Sequence, residues 1–151
     1  ADAAPFPSDA DLGAALLAPT RLYVMPVLRV LRDMPGAIKG LAHITGGGLL
    51  ENLPRALPKG LGARLDAAAW PLPPVLRWLK AAGRLGDREM GRTLNAGIGM
   101  TLVVDPARAD DILALLADAG EAAYRIGDIE DGVDGVRIDG TERAWAAAPR
   151  S

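Results

Sequence analysis

The chain has 151 residues, of which half are hydrophobic and 24% are charged, and its formal net charge is −2. This composition excludes an intrinsically disordered chain, and the small negative charge excludes a general electrostatic attraction to nucleic acid. The sequence has no cysteine and no apolar run near the roughly 20 residues of a membrane span, so we expect no disulfide, no thiolate site, no membrane partner and a cytoplasmic setting.

The predicted elements alternate between helices and strands along the chain. Apolar residues recur with helical spacing over 23–31, and Pro106 and Gly120 bracket a predicted helix over 107–119. Residues 98–104 are almost continuously apolar, which predicts a strand at the centre of a sheet. In chain order, helices are predicted over 9–17, 23–31, 49–57, 75–82, 87–94 and 107–119, and strands over 37–44, 61–65, 98–104, 122–129 and 133–138.

This alternation predicts a single layered domain of the α/β or α+β class, with a mixed sheet flanked by helices. We expect the domain to occupy residues 11–140. Residues 1–10 are then a flexible lead-in of small residues and prolines, and residues 141–151 are a flexible tail.

The chain concentrates flexible backbone and polar groups at 42–58, between a predicted strand and a predicted helix. Thr45 is followed by three glycines, and consecutive glycines can turn several N–H groups towards one point. A helix that begins at Gly48 or Leu49 would add free N–H groups and a dipole that favour an anion. The motif indicates a phosphate-binding loop, and a turn that only joins two elements is the alternative.

Four polar side chains flank this loop. His43 is the single histidine and a candidate acid or base, although a lone histidine is more often a structural residue. Glu51 and Arg55 stand four residues apart on one predicted helix face, which predicts a local ion pair. Asn52 is suited either to bind a ligand or to cap a turn.

A second polar group ends the predicted helix over 87–94 and leads through two glycines into the apolar strand. Arg92, Thr93 and Asn95 are its candidates, because polar groups at the end of an element are common in binding sites. An ordinary helix-to-strand connection is the alternative. The sequence shows no P-loop, no Gly-x-Ser-x-Gly motif and no metal-ligand cluster, so the residues alone indicate a phosphate-binding domain.

Three segments in order, 17–24, 42–58 and 89–100, closely resemble the C-terminal part of the phosphoribosylformylglycinamidine cyclo-ligase family, also called aminoimidazole ribonucleotide synthetases. The run His-Ile-Thr-Gly-Gly-Gly-Leu-Leu-Glu-Asn-Leu-Pro-Arg at 43–55 fits that family best, and the resemblance covers roughly residues 11–138. It implies the C-terminal domain of the synthetase-like superfamily, without its first strand. It also implies a missing N-terminal domain and a homodimeric full-length enzyme.

The resemblance implies ring closure of formylglycinamidine ribonucleotide in purine biosynthesis. ATP phosphorylates the formyl amide oxygen, the amidine nitrogen attacks, and phosphate leaves as aminoimidazole ribonucleotide forms. ATP and Mg²⁺ would be held mainly by the N-terminal domain, so we expect this chain alone to be inactive. The resemblance places His43 as the catalytic candidate and Arg92, Thr93 and Asn95 as second-tier residues, with no metal ligand here. The implied substrate- or phosphate-binding residues are Thr45, Gly46, Gly47, Gly48, Glu51 and Asn52.

The chain departs from the family at three positions around the motifs. Met25, Gly91 and Leu94 stand where the family usually has lysine, an aromatic residue and phenylalanine. Formylglycinamidine ribonucleotide synthetase, selenophosphate synthetase and thiamine-phosphate kinase share the architecture. A non-catalytic binding or packing module of such an enzyme is therefore the alternative function. We also expect exposed apolar surface and self-association at an open strand edge.

Overall fold

The computed structural model describes residues 3–8 and 11–146, and each predicted helix and strand has a counterpart within them. Residues 9 and 10 of the first predicted helix lie outside the described part. Short 3₁₀ turns lie at Leu53–Ala56, Ala67–Ala69 and Pro106–Arg108. The helices are α1 (Leu12–Leu16), α2 (Val24–Asp33), α3 (Gly48–Asn52), α4 (Pro74–Ala82), α5 (Asp87–Arg92), α6 (Ala109–Asp118) and α7 (Thr141–Ala144). The strands are β1 (Ile38–His43), β2 (Leu61–Asp66), β3 (Met100–Val104), β4 (Gly127–Asp131) and β5 (Val136–Asp139).

The predicted class, mixed α/β with helices flanking the sheets, is confirmed, and the strands form two sheets. β1 and β3 pair antiparallel, with His43 opposite Met100 at one end. In the second sheet β2 lies in the middle, antiparallel to β4 and parallel to β5. None of the described helices is long and apolar enough to cross a membrane.

The expectation that residues 98–104 form a central strand is wrong. Within the described ranges, β3 has a single neighbour, β1. Its apolar sequence has another cause, because both of its faces are covered by packed side chains. Leu102 and Val104 contact one hydrophobic cluster, and Val103 contacts the other.

The core consists of these two clusters. The larger one packs β1 and β2 against α3, α5 and α7, with Leu49, Met90 and Trp145 fully buried. The smaller one joins α2 to α6 through Val30 and Ile112. Since the chain has few aromatic residues, aliphatic side chains fill most of both clusters.

The chain beyond residue 140 differs from the predicted flexible tail. Thr141–Ala144 form α7, and the buried Trp145 ring lies 6.1 Å from that of Trp70 in an edge-on arrangement. Arg77 donates hydrogen bonds to the carbonyl oxygens of Ala144 and Ala146. Because an indole supplies a large apolar surface, its burial extends the packed structure to residue 146. Residues 147–151 lie outside the described part.

Side-chain caps begin several helical turns. Asp11 accepts the N–H of Ala14 at 2.8 Å, and Asp105 accepts the N–H of Ala107 at 3.0 Å. Asp87 is suited by sequence to cap α5, but Gly86 holds that position and Asp87 is the first helical residue. Its carboxylate instead lies 2.8 Å from the ammonium of Lys80.

We predict that Asp87→Asn destabilises the chain at neutral pH. Burial alone would raise the pKa of Asp87, but hydrogen bonds from Lys80 and Thr141 outweigh it and hold the pKa below its usual value. The carboxylate therefore stabilises the fold at neutral pH, and this contribution is lost as the pH falls through the lowered pKa. We expect a loss of about 1 kcal/mol at neutral pH, measured by urea unfolding.

The matched control is Asp134→Asn, at an exposed carboxylate in the loop between β4 and β5. Its free energy of unfolding should stay within about 0.5 kcal/mol of the native chain. The difference between Asp87→Asn and the native chain should shrink as the pH falls from neutral through the lowered pKa of Asp87. A difference that does not change with pH would contradict the ion-pair account.

Candidate functional site

The three glycines after Thr45 have different physical reasons to be glycine. Gly47 and Gly48 have φ values of +98° and +56°, in the left-handed region that disfavours a side chain. A β-carbon on Gly48 would also overlap the carbonyl oxygen of Gly91, so this glycine lets α3 pack against α5. Gly46 has nothing within 4 Å of a β-carbon position. It is therefore the glycine of the loop that borders open space.

Asn52 holds the loop from its inner side. Its side-chain nitrogen donates hydrogen bonds to three loop carbonyl oxygens, those of Gly48 at 2.8 Å, Gly46 at 3.1 Å and Thr45 at 3.4 Å. The residue is 8% exposed, so these bonds satisfy an amide that is shielded from water. Asn52 therefore shapes the loop, and the loop carbonyl oxygens occupy the hydrogens of its side-chain amide.

Glu51 pairs with Arg92 of α5 and not with Arg55, so the predicted local ion pair is wrong. The Arg92 Nε lies 2.7 Å from the Glu51 Oε1. The α-helix ends at Asn52 and continues as a 3₁₀ turn with about 3 residues per turn, which rotates Arg55 away from Glu51. The hydrogen bond and charge of Glu51 raise the pKa of Arg92. This pair joins the two helices that carry the polar motifs.

The second polar group forms a tightly bonded connection into β3. The hydroxyl of Thr93 donates a hydrogen bond to the carboxylate of Glu89. The side-chain oxygen of Asn95 accepts the N–H of Gly97 at 2.9 Å, and the carbonyl of Ala96 accepts the indole N–H of Trp70 at 2.8 Å. The side chains of Thr93 and Arg92 therefore bond to other residues of the domain, Glu89 and Glu51.

A polar cleft of about 440 Å³ lies where three separate segments meet. One wall follows the end of β1, the second belongs to the connection before β3, and the third is the segment between α1 and α2. Of the residues predicted for the site, His43, Thr45 and Asn95 lie in this cleft. Its lining residues are Ala18, Pro19, Thr20, Arg21, Tyr23, His43, Ile44, Thr45, Asn95 and Gly99.

The remaining predicted residues are not part of the lining of the cleft. Gly46, Gly47 and Gly48 form the turn that follows Thr45, and Glu51 and Asn52 hold that turn. They do not line the cleft itself. The structure therefore separates the predicted set into cleft residues and residues that support the loop.

Thr20, Arg21 and Tyr23 are cleft residues that sequence reasoning did not name for the site. The signal for them was present, because they stand in the segment 17–24 that carries part of the family resemblance. The ring of Tyr23 lies 6.2 Å from the imidazole of His43 in an edge-on arrangement. A β-carbon at Gly99 would overlap the Tyr23 hydroxyl, so glycine is required there to seat the ring.

The chemistry of the cleft suits an anionic ligand rich in oxygen. Arg21 supplies a guanidinium that also pairs with Glu121 at 2.8 Å, and its side chain is 55% exposed. Thr20 and Thr45 supply hydroxyls, and no carboxylate lines the cleft among the described residues. Guanidinium and hydroxyl donors bind phosphate oxygens well, whereas carboxylates repel them.

The cleft does not have the ligands of a metal site. Across residues 3–8 and 11–146, no group of three or more His, Asp or Glu side chains is placed to hold a metal ion. We therefore assign no metal to the cleft.

Comparisons with known proteins agree on one family. The model described as "AIR synthase related protein, C-terminal domain" matches residues 2–140. A protein of Chromobacterium violaceum named phosphoribosylformylglycinamidine cyclo-ligase is 50% identical over 128 residues, which is 85% of this chain and 36% of that protein. A protein of the same name from Burkholderia pseudomallei is 52% identical over 125 residues, 83% of this chain and 35% of its own length. The chain thus spans about a third of the curated relatives it matches.

Two solved structures have a similar fold. The structure of Escherichia coli HypE has a TM-score of 0.61 at 25% identity and covers 86% of this chain and 40% of its own. Thiamine-monophosphate kinase from Stenotrophomonas maltophilia has a TM-score of 0.52 at 25% identity, covering 78% of this chain and 34% of its own.

We predict that Gly48→Ala destabilises the chain much more than Gly46→Ala. At Gly48 a methyl group would meet backbone oxygen and the φ value is positive, so we expect a loss of about 2 kcal/mol or more. At Gly46 the position is open, and the change should stay within about 0.5 kcal/mol. Urea unfolding of both variants measures the difference. Equal losses would contradict the separate roles of the two glycines.

Proposed function

The chain belongs to the AIR synthase related family, of which it forms the C-terminal domain, and we propose that it is part of a phosphoribosylformylglycinamidine cyclo-ligase. The observation that carries the proposal is 50–52% identity to proteins of that name over more than four fifths of the chain. The whole enzyme would close the imidazole ring of formylglycinamidine ribonucleotide with ATP. Its products would be aminoimidazole ribonucleotide, ADP and phosphate.

We assign the polar cleft to the ribose-phosphate end of the substrate. The guanidinium of Arg21 and the hydroxyls of Thr20 and Thr45 are the donors for the phosphate oxygens. Gly46, Gly47 and Gly48 do not line the cleft, and we assign to them the turn that positions Thr45. Binding energy from this end would orient the reacting end of the substrate towards the rest of the enzyme.

We assign to His43 the proton that the amidine nitrogen loses when it attacks the activated carbon. The imidazole is exposed at the end of β1, lines the cleft and packs edge-on against Tyr23. That contact limits the positions that the ring can take. An imidazole is suited to this proton transfer because one ring nitrogen can accept a proton while the other donates a hydrogen bond.

ATP and Mg²⁺ belong to the proposed whole enzyme. Among the described residues no group of three or more His, Asp or Glu side chains is placed to hold a metal ion, and we assign no Mg²⁺ ligand to them. We propose that both groups are held mainly by an N-terminal domain, and that these 151 residues alone do not turn over substrate.

An exposed apolar face supports packing against that N-terminal domain. Val24, Leu28 and Leu31 share one side of α2 and are 62%, 53% and 40% exposed, and Leu22 and Met25 beside them are 82% and 76% exposed. Apolar side chains that cluster on a surface mark sites of association. We propose that the N-terminal domain covers this face in the full-length enzyme. We also propose that the full-length enzyme is a cytoplasmic homodimer.

The cyclo-ligase is favoured over the related kinases and synthetases that share the architecture. The solved thiamine-monophosphate kinase is 25% identical to this chain, half the identity of the cyclo-ligases. A packing module without a ligand would not require the polar lining of the cleft.

We predict that Thr45→Ala in the full-length enzyme raises the KM for formylglycinamidine ribonucleotide by about tenfold, through loss of a hydrogen bond to a charged group. The backbone carbonyl that Asn52 holds is unchanged by this substitution. Thr141→Ala removes a hydroxyl that bonds Asp87 outside the cleft, so it should lower the free energy of unfolding but change KM by less than about twofold. An unchanged KM in Thr45→Ala would exclude Thr45 from the binding site. Absence of cyclisation by the native enzyme would overturn the proposed function.

A further inference from the structure

The turn that leads into β3 has a backbone conformation that disfavours side chains. Its central residues, Ala96 and Gly97, have φ values of +49° and +88°. The N–H of Ile98 closes the turn with a 2.9 Å hydrogen bond to the carbonyl oxygen of Asn95. Two positive φ values in succession are typical of a type I′ turn, in which glycine, asparagine and aspartate predominate. Ala96 is therefore held in a conformation that an alanine does not favour.

The segment 70–73 holds this turn at two points. The indole N–H of Trp70 donates a buried 2.8 Å hydrogen bond to the carbonyl oxygen of Ala96. A β-carbon on Gly97 would overlap the ring of Pro73, so this segment packs directly against the turn. Trp70 follows β2, and its hydrogen bond therefore fixes the turn before β3 relative to the second sheet. A strained conformation persists only where the surrounding structure determines it.

The turn borders two cavities, the polar cleft and an apolar groove of about 620 Å³. Asn95 lines the cleft, whereas Gly97 and Ile98 line the groove together with β3, β4 and Trp70. Because Asn95 and Ala96 share a peptide bond, a rotation of the backbone at Ala96 moves Asn95 within the cleft. The hydrogen bond of Trp70 is therefore made outside the cleft but acts on a residue inside it.

The side-chain amide of Asn95 is bonded to the turn through its oxygen. The Oδ1 accepts the N–H of Gly97 at 2.9 Å, whereas the Nδ2 has no hydrogen-bond partner among the described residues. The side chain is half-buried and lines the same cleft as Thr45 and Arg21. An amide that is fixed by its oxygen has two N–H donors left for an acceptor in the cleft. Asn95 is therefore suited to bind an oxygen atom of a ligand.

We propose that Trp70 is a positioning residue of the ligand site, which acts through the carbonyl of Ala96 to orient the amide of Asn95 towards a ribose-phosphate oxygen of the substrate. Trp70 does not line the cleft, so its effect on the ligand passes through the turn. Its hydrogen bond offsets the unfavourable φ value of Ala96. Asn95 is then already in place when the ligand arrives, and less conformational freedom is lost on binding. The identity of the ligand rests on the proposed function, whereas the hold of Trp70 on the turn rests on its hydrogen bond.

The test compares Trp70→Phe with Trp145→Phe in the full-length enzyme. Both indoles are buried and lie edge-on to each other, but the N–H of Trp145 has no acceptor among the described residues. The two substitutions remove the same atoms from one aromatic pair, and only Trp70→Phe removes a hydrogen bond. We expect Trp70→Phe to raise the KM for formylglycinamidine ribonucleotide about fivefold, with kcat within about twofold of the native value. Trp145→Phe should leave both constants within about twofold.

Two further substitutions separate positioning from a merely structural role. Asn95→Ala should raise KM about tenfold, and addition of Trp70→Phe should raise it no further, because the indole acts through that amide. Ala96→Gly in the Trp70→Phe enzyme should return KM to within about twofold of the native value, since glycine adopts a positive φ without help from the indole. A loss of packing alone would not be rescued by glycine, which removes a buried methyl group.

Amide hydrogen exchange in the same enzymes gives a readout that does not depend on turnover. The N–H groups of Gly97 and Ile98 both bond to Asn95, so they report the shape of the turn. We expect exchange about tenfold faster at both amides in Trp70→Phe. Trp145→Phe should leave both exchange rates unchanged.

Any of four results would overturn the proposal. These are an unchanged KM in Trp70→Phe, an equal rise of KM in Trp145→Phe, effects of Trp70→Phe and Asn95→Ala that multiply, and unchanged exchange at Gly97 and Ile98 in Trp70→Phe. A native enzyme that does not cyclise the substrate would refute the proposed function instead. The exchange rates would then still decide whether Trp70 holds the turn.

Discussion

The hydrogen bonds from the buried amide of Asn52 to the carbonyls of Thr45, Gly46 and Gly48 are the interaction on which the candidate site depends. They close the glycine turn in a geometry that starts α3 directly against α5. The packing is possible because Gly48 has no side chain at the contact with Gly91. Thr45 belongs to this turn and lines the cleft. The buried side-chain amide of Asn52 therefore determines where the exposed hydroxyl of Thr45 lies.

The polar cleft and the apolar groove are adjacent parts of one arrangement. The cleft gathers donors suited to phosphate, and the groove is lined by β3 and β4, each of which has one neighbouring strand in the described part of the chain. Arg21 and Tyr23 line both, so the side chains that would contact a ligand in the cleft also line the groove.

Much of the fold could be predicted because apolar spacing reports burial, and burial decides which segments form helices and strands. The same reasoning misplaced β3, since an apolar strand reveals two covered faces and not two neighbouring strands. It located the glycine loop but paired Glu51 with Arg55, because the change to a 3₁₀ turn at Leu53 depends on tertiary packing. Arg21 lines the cleft together with His43 and Asn95, which are distant from it in the sequence. The spacing of apolar residues does not predict such a tertiary contact.

The most direct test of this account is amide hydrogen exchange in Asn52→Ala. The N–H groups of Gly48 and Glu51 bond to Thr45 and Gly47, and they report whether the turn stays closed. The account predicts exchange about tenfold faster at these two amides, with the amides of β2 unchanged. Unchanged exchange at Gly48 and Glu51 would show that the glycine turn holds its shape without Asn52 and would contradict the account.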